Sequence, residues 1–157
     1  EVFTQIEWDY VQEHLCILSG FYGVLKPLDG VVPYRLEMQA KARVNETKNL
    51  YEFWGDRLYH EVRGEDGIIL NLASKEYSKC IEKYLKPEDT YITCVFGEQK
   101  DNKVVQKGTQ AKMARGEMVR FMAEKDILDV KEIRGFDRLG YHFQEELSSE
   151  KEYVFLI

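Results

Sequence analysis

The sequence has little of what marks several specialised classes of protein. Its 157 residues include only three cysteines, three histidines and three prolines. No stretch approaches the ~18 consecutive apolar residues that a membrane span needs, so no transmembrane segment is predicted. The first residues, EVF, show no methionine, no basic segment and no apolar core of a signal peptide. We therefore expect that the natural start was removed or that the chain is part of a longer protein.

The cysteines and histidines form no pattern of a metal site or a disulfide framework. Cys16, Cys80 and Cys94 are widely spaced and odd in number, and no CxxC pair occurs. The three histidines lack the spacing of metal ligands and are expected to be structural or exposed. No metal and no cofactor are predicted. Cys94 lies in an apolar run and is expected to be a buried, inert thiol. This cysteine usage is typical of the reducing cytoplasm, which is the predicted location.

What the chain does have is the composition of a folded domain with an uneven charge. Hydrophobic residues make up 44% and aromatic residues 13%, which excludes a disordered protein. The net charge of -6 argues against a general polyanion binder. Between Lys100 and Arg120, however, six basic residues stand against two acidic ones, a local +4 that leaves -10 for the remainder. One face can therefore attract an anion while the others repel it.

Hydrophobic periodicity predicts alternating helices and strands in a single domain over residues 1–157. Helices are expected over residues 7–18, 47–62, 75–84 and 109–124. Strands are expected over residues 67–72, 90–96, 104–105, 133–136, 141–143 and 153–157. Gly20 is expected to cap the first helix and Ser74 to begin the third, while a hairpin joins the second and third strands. The fold class is α/β (α+β), a mixed sheet with flanking helices.

The basic residues of the last predicted helix are candidates for binding phosphate. Lys112 and Arg115 lie three residues apart on one face, and Arg120 lies nearby. Arginine offers a planar fork of donors that matches phosphate oxygens. The alternative is an ordinary solvated helix face. Gly116 costs roughly 1 kcal/mol in a helix interior relative to alanine, which favours a close approach of backbone or ligand there.

Further candidates for binding phosphate lie in a segment near the start of the chain that is rich in glycine and proline. Pro27 and Pro33 stiffen a loop suited to displaying Lys26 and Arg35. If this segment is extended, Arg35 and Glu37 point to the same side. They form either a structural ion pair or an arginine held in place for phosphate or carboxylate.

Polar residues elsewhere complete a candidate pocket. Asp56 is predicted to orient a cation such as Arg35. Asn71 and Ser74 come where a buried strand ends and a helix begins, a place where anions bind in α/β sheets. The alternative is that Asn71 satisfies a turn and Ser74 caps its helix. The pocket candidates are Tyr34, Glu37, Asp56, Asn71, Ser74 and Tyr77.

Six segments, taken in order, resemble one known family. They are LSGFYGVLKPLD (18–29), PYRLEM (33–38), FWGD (53–56), NLASKEY (71–77), AKMARGEMVRF (111–121) and GFDRLGY (135–141). Together they closely resemble the YaaA family of bacterial peroxide-stress proteins, over essentially the whole chain. Each segment alone is a weak signal, whereas six in the same order are specific.

The resemblance implies a fold, an activity and a cellular role. Family members open with a short apolar strand and a Ser-Pro-Ala-Lys-Thr-like loop that have no match here. The chain is therefore expected to be roughly the C-terminal two-thirds of such a protein. The family's unusual fold includes a helix-hairpin-helix element, expected in the unmatched part. The resemblance also implies DNA binding by the whole protein and a role in keeping free intracellular iron low under peroxide.

The predicted function is thus an oxidative stress protein that limits iron through DNA binding without sequence specificity. The residues expected to contact phosphate are Lys26, Arg35, Lys112, Arg115 and Arg120. The alternative is an enzyme acting on a nucleotide or other phosphorylated small molecule in the candidate pocket. No nucleophile–base pair is identified, so catalysis is left open. Direct iron binding is disfavoured, because no histidine–carboxylate cluster has the helical spacing of di-iron sites.

Overall fold

The computed structural model describes residues 2–157, which divide into two compact units. The first unit holds residues 2–13, 70–72 and 91–157, and the second holds residues 14–69 and 73–90. The assignment of the whole chain to a single domain stays a prediction, because compact packing does not show whether a unit folds alone.

The elements follow in a mixed order along the chain. The helices of the described residues are α1 (Gln5–His14), α2 (Leu50–Trp54), α3 (Arg57–Val62), α4 (Lys75–Glu82) and α5 (Gly108–Glu124). The strands are β1 (Ile17–Ser19), β2 (Gly23–Leu25), β3 (Ile68–Asn71), β4 (Thr90–Lys100), β5 (Lys103–Val105), β6 (His142–Phe143) and β7 (Glu152–Leu156). Short 3-10 helices cover Val130–Gly135 and Glu145–Leu147.

Strand β4 is the longest strand and organises the sheet, whose order is β3-β4-β7-β6. It runs parallel to β7, with Cys94 opposite Tyr153, while β6 is antiparallel to β7. Strand β5 folds back on β4 as the predicted hairpin. Its turn residues Asp101 and Asn102 have φ of 49° and 59°, the left-handed conformation that two-residue hairpin turns require. The mixed sheet with flanking helices confirms the predicted α/β class.

The core of the first unit forms where α5 packs on this sheet. Ala111, Ala114, Met118 and Phe121 recur at helical spacing and are buried in one cluster with strand residues. Small residues at the first two positions bring the helix close to the sheet. Cys94 belongs to the same cluster, and burial raises the pKa of its thiol to about 12. The prediction that Cys94 is buried is confirmed.

The second unit is built on the β1–β2 hairpin and the short helices. Strand β1 pairs antiparallel with β2, with Leu18 opposite Val24. The indole Nε1 of Trp54, at the end of α2, donates to the carbonyl oxygen of Gly20 at 3.0 Å. The hydroxyl of Tyr51 donates to the carbonyl of Glu76 in α4 at 2.9 Å. These bonds tie the hairpin and α4 to α2.

Two predicted helix boundaries are wrong because a strand and a glycine interrupt them. The helix over residues 7–18 ends at His14, since the residues that follow pair as β1. Gly20 is therefore part of the hairpin turn and not a helix cap, and a Cβ there would lie 2.8 Å from the carbonyl oxygen of Leu36. The helix over residues 47–62 breaks at Gly55, whose φ is 56°, into α2 and α3.

Two further local predictions also need correction. The strand over residues 133–136 is a 3-10 helix, which Asp129 caps by accepting the N–H of Lys131 at 2.9 Å. Ser74 does precede α4, but its side chain forms no capping hydrogen bond. Its carbonyl instead accepts the N–H groups of Tyr77 and Ser78. Backbone bonds therefore start α4 without help from the hydroxyl.

A buried carboxylate in the second unit makes its stability depend on pH. The side chain of Asp89 is 1% exposed and accepts from the Tyr59 hydroxyl and the Arg63 Nε, both at 2.6 Å. The Lys86 N–H adds a third bond at 2.8 Å. Hydrogen bonding by Tyr59, followed by that of Lys86 and Arg63, lowers the pKa of Asp89 to about 2. The ionised form is therefore the one that the fold stabilises.

We expect acid to unfold the chain partly through Asp89. A carboxyl whose pKa is lowered by folding adds stability above its unfolded pKa of roughly 4, and that contribution disappears as pH falls toward 2. Urea midpoints measured between about pH 6 and about pH 2 should fall less steeply in Asp89→Asn than in the unmutated chain. Asp56→Asn is the matched control, since Asp56 is exposed. Parallel curves for Asp89→Asn and the unmutated chain would contradict this role.

Candidate functional site

The predicted site residues are divided between the two units. The first unit holds Asn71, Lys112, Arg115 and Arg120. The second holds Lys26, Tyr34, Arg35, Glu37, Asp56, Ser74 and Tyr77.

Lys112 presents an unengaged positive charge on α5. It is exposed and forms no ion pair with any of residues 2–157. The first turn of α5 contains no acidic residue, so nothing there offsets the partial positive charge of the helix start. Lys112 is therefore available to an anion from outside the chain.

Arg115, one turn further along α5, is half-buried and only partly satisfied. One terminal nitrogen donates to the side-chain oxygen of Gln106 at 3.3 Å. The Nε is buried, and no acceptor within residues 2–157 reaches it. Burial lowers the pKa of Arg115, and the nearby Cys94 opposes that shift. The buried Nε is closed to solvent, so only the terminal nitrogens of Arg115 can face an anion from outside the chain.

Arg120 is engaged inside the protein. Its Nε lies 2.8 Å from Glu124, and its guanidinium lies 5.1 Å from the centre of the Phe3 ring. Arg138 also bonds Glu124, and this bond, followed by that of Arg120, lowers the pKa of the Glu124 carboxyl. Of the three predicted cations on α5, Arg120 is thus engaged within its unit, and Lys112 is the most open to a ligand.

Asn71 serves the sheet of the first unit. It is buried at the end of β3, and its side-chain amide donates to the Thr93 hydroxyl at 3.2 Å. This hydrogen bond favours the alternative that Asn71 has a structural role and does not bind a ligand.

In the second unit the structure brings together three pocket candidates. Burial is the main cause that raises the pKa of Tyr77, and Tyr34 and Glu37 lie near enough to add to it. The backbone of Met38 lies near the Tyr77 hydroxyl and partly offsets this rise in its pKa. Tyr34, Glu37 and Tyr77 therefore lie in one neighbourhood, although no sequence spacing links them.

The other predicted residues of this unit have separate surroundings. Arg35 is exposed and forms no ion pair with the described part of the chain, so the predicted pairs with Glu37 and Asp56 do not form. The carboxylate of Asp56 lies 3.3 Å from His60 instead. The Nζ of Lys26 lies 3.6 Å from the Cys16 sulfur.

Sequence reasoning missed an aromatic cluster beside these residues. The rings of Phe21, Tyr22 and Tyr34 lie within 4.9 to 5.5 Å of one another. The Ser19 hydroxyl bonds the Tyr34 hydroxyl and accepts the N–H groups of Phe21 and Tyr22. The one signal in the sequence is the aromatic pair flanked by Gly20 and Gly23, which marks a tight turn but does not indicate what the rings contact.

The described residues form neither a metal-binding cluster nor a helix that could span a membrane. Within residues 2–157, no group of three or more histidine, cysteine, aspartate or glutamate side chains is placed to hold a metal ion. No helix in that range has both the length and the apolar character to cross a bilayer.

Comparison with known proteins points to one family. The sequence profile described as peroxide stress protein YaaA matches residues 1–147. A UPF0246 protein of Agathobacter rectalis is 66% identical over 154 residues, which are 98% of this chain and 62% of that protein. A UPF0246 protein of Lachnoclostridium phytofermentans is 60% identical over 156 residues, 99% of this chain and 61% of that protein. A UPF0246 protein of Pediococcus pentosaceus is 51% identical over 156 residues, which are 99% of this chain and 62% of that protein. The chain therefore spans about three-fifths of the length of these relatives.

Proposed function

Because the chain belongs to the YaaA family of peroxide stress proteins, we propose that it is part of a protein that binds DNA in the cytoplasm and thereby limits free iron during peroxide stress. The side of α5 that carries Lys112 and Arg115 contacts the phosphate backbone without reading sequence. The three free cysteines accord with a cytoplasmic location.

The observation that carries DNA binding is the open charge of Lys112 beside the Arg115 guanidinium, whose hydrogen bonds within residues 2–157 are incomplete. The buried Nε lacks an acceptor within residues 2–157, and Lys112 lies one helical turn away. Both lie in the segment that holds a local +4 in an otherwise acidic chain. Phosphate oxygens supply the negative charge that neither of these two cationic side chains finds within residues 2–157.

We expect the double variant Lys112→Glu, Arg115→Glu to weaken DNA binding about tenfold or more at low salt. Each lost phosphate contact also reduces the salt dependence, so the slope of log affinity against log salt should become shallower by about 2. The measurement is a fluorescence anisotropy titration of the full-length protein with a labelled duplex at several salt concentrations.

A matched control changes the same net charge elsewhere in the first unit. Lys131 and Lys151 are exposed, and Lys131→Glu with Lys151→Glu should leave the slope nearly unchanged. Equal losses in both double variants would mean that only net charge matters. That result would remove α5 as the binding surface.

Arg115→Met should separate binding from stability. Methionine fills the same space without the buried Nε, so the free energy of unfolding should stay within about 1 kcal/mol of the unmutated value or rise. DNA affinity should fall at the same time. Urea unfolding and DNA titration of one preparation test both expectations. A large loss of stability would show that Arg115 serves the fold and not a ligand.

The burial of one nitrogen of Arg115 also favours a second candidate, a phosphorylated small molecule. A half-buried donor suits a compact anion better than a flat duplex surface does. Calorimetric titration of the full-length protein with inorganic phosphate and with ADP tests this candidate. Two results together would favour the small molecule over DNA as the ligand of Arg115. Phosphate or ADP would bind saturably and lose that binding in Arg115→Met, and neither anion would change the affinity of the protein for DNA.

A further inference from the structure

Five exposed apolar side chains lie close together in the sequence of the second unit. They are Phe21, Leu28, Val31, Val32 and Tyr34. Phe21 is 53% exposed and Tyr34 is 41% exposed, although large aromatic side chains are usually covered. Of these five, Phe21 and Tyr34 are in ring contact and expose a shared apolar surface.

The two exposed rings, Phe21 and Tyr34, form a platform that the fold holds in place. Their centroids lie 5.3 Å apart with an angle of 31° between the ring planes. Tyr22 meets both rings edge-on, at 79° and 76°, and its hydroxyl accepts the N–H of Val32 at 3.0 Å. A ring that is already ordered loses little conformational entropy when a ligand stacks on it.

The hydrogen bonds at Ser19 indicate which way the Tyr34 hydroxyl donates its hydrogen. The Ser19 oxygen accepts N–H groups from Phe21 at 3.2 Å and Tyr22 at 2.9 Å, which uses both of its lone pairs. Its own hydrogen is then the one shared with the Tyr34 oxygen. The phenolic hydrogen of Tyr34 is left to donate elsewhere, and no acceptor for it lies among residues 2–157.

The charge around the platform favours an anionic partner. Residues 19–44 contain four basic and two acidic residues in a chain whose net charge is -6. Arg35 follows Tyr34 directly, is exposed and forms no ion pair with the described residues. A ligand that suits this surface has a planar face, a hydrogen-bond acceptor and a negative charge.

We propose that Phe21, Tyr34 and Arg35 bind unpaired nucleotides of single-stranded nucleic acid. A base stacks on the two rings, the Tyr34 hydroxyl donates to an acceptor of that base, and Arg35 contacts the phosphate. A paired base in a duplex exposes no free face to the rings, so this surface distinguishes single strands from duplexes. The proposal rests on the proposed function, because it gives the same protein a second nucleic-acid contact.

The test compares single-stranded and duplex DNA binding by the full-length protein. The probes are a labelled oligothymidylate and a labelled duplex of equal length, titrated by fluorescence anisotropy at one salt concentration. Phe21→Leu keeps the apolar volume and removes the aromatic face, and Tyr34→Phe keeps the ring and removes the hydroxyl. Arg35→Gln removes the charge. Leu128→Ala is the control, an exposed apolar side chain in the first unit.

We expect Phe21→Leu and Arg35→Gln each to weaken oligothymidylate binding about fivefold or more, and Tyr34→Phe to weaken it by a smaller factor. Duplex affinity should stay unchanged in Phe21→Leu and Tyr34→Phe, whereas Arg35→Gln should weaken duplex binding less than it weakens oligothymidylate binding. Leu128→Ala should change the binding of neither probe. Circular dichroism melting shows whether each variant is folded. If Phe21→Leu does not fold, the Tyr34→Phe and Arg35→Gln variants decide the outcome.

Three results would overturn the proposal. If the unmutated protein binds duplex and not oligothymidylate, the platform has no nucleic-acid role while the proposed function stands. If the variants bind oligothymidylate normally and melt at lower temperature, the platform is covered by the remaining part of the longer protein. If the unmutated protein binds neither probe, the proposed function fails together with this inference.

Discussion

Phe96→Ala should lower the free energy of unfolding by about 3–5 kcal/mol, because it removes the central ring of the first unit's core. Phe96 on β4 is 0% exposed. Its ring stacks on Phe155 at 5.1 Å and meets the edges of Phe136 and Tyr141 at 5.7 and 5.5 Å. Since sheet and helix residues surround the ring on several sides, the cavity left by alanine is expected to collapse only partly.

The measurement is thermal and urea unfolding of the full-length protein. A loss of this size lowers the midpoint of thermal unfolding by about 10 °C for a chain of this length. Phe96→Leu keeps most of the volume and should cost under about 1.5 kcal/mol. Leu128→Ala is the exposed control and should stay within about 0.5 kcal/mol of the unmutated value. Equal midpoints for Phe96→Ala and Leu128→Ala would show that this core does not limit stability.

Gly23→Ala should cost about 2–4 kcal/mol, because two independent penalties act at one residue. The φ of Gly23 is +85°, a conformation that alanine adopts at a cost. A Cβ would also lie 2.8 and 2.9 Å from the Cζ3 and Cη2 atoms of the Trp54 ring. The ring is held by the bond from its Nε1 to Gly20, so moving it aside sacrifices that bond.

The control for this prediction is Gly30→Ala. Gly30 has no positive φ, and an added Cβ meets no atom within 4 Å. Alanine there should be neutral or slightly stabilising, since it restricts the unfolded chain. Urea unfolding of both variants gives the comparison. Similar midpoints for Gly23→Ala and Gly30→Ala would contradict the packing around Trp54.

Gly23→Ala also links stability to the proposed platform. The β1–β2 hairpin carries Ser19 and Tyr22, whose bonds hold the Tyr34 ring. A hairpin shifted by the alanine should therefore bind oligothymidylate more weakly, while Gly30→Ala binds it normally.

Much of the fold is predictable from local patterns. The apolar spacing of α5, the amphipathic α4 and the alternation before the β4–β5 turn each lie within a short window of sequence. The hydrogen bonds of α4, α5 and the β4–β5 hairpin join residues close in the chain, so the pattern and the structure agree there. The prediction errors arise where a contact with a distant segment overrides the local sequence preference. Residues 17–19 satisfy a helical period, but pairing with β2 makes them a strand.

The candidate site shows the same division. The sequence identifies Lys112, Arg115 and Arg120 as cations on one helix. Only the structure separates them, because Glu124 and Phe3 engage Arg120 and nothing within residues 2–157 pairs with Lys112. Spacing along a helix tells which residues share a face, but not which partner another segment brings to that face.

The sequence by itself determined the family, the α/β class, the burial of Cys94 and the concentration of positive charge between Lys100 and Arg120. Each of these depends on residue identity and short-range order alone. The tertiary structure alone decided that the Nε of Arg115 lacks an acceptor within residues 2–157 and that the hydroxyls of Ser19 and Tyr34 bond each other. Both facts depend on counting hydrogen-bond partners that come from distant parts of the chain, and this count exists only once the chain is folded.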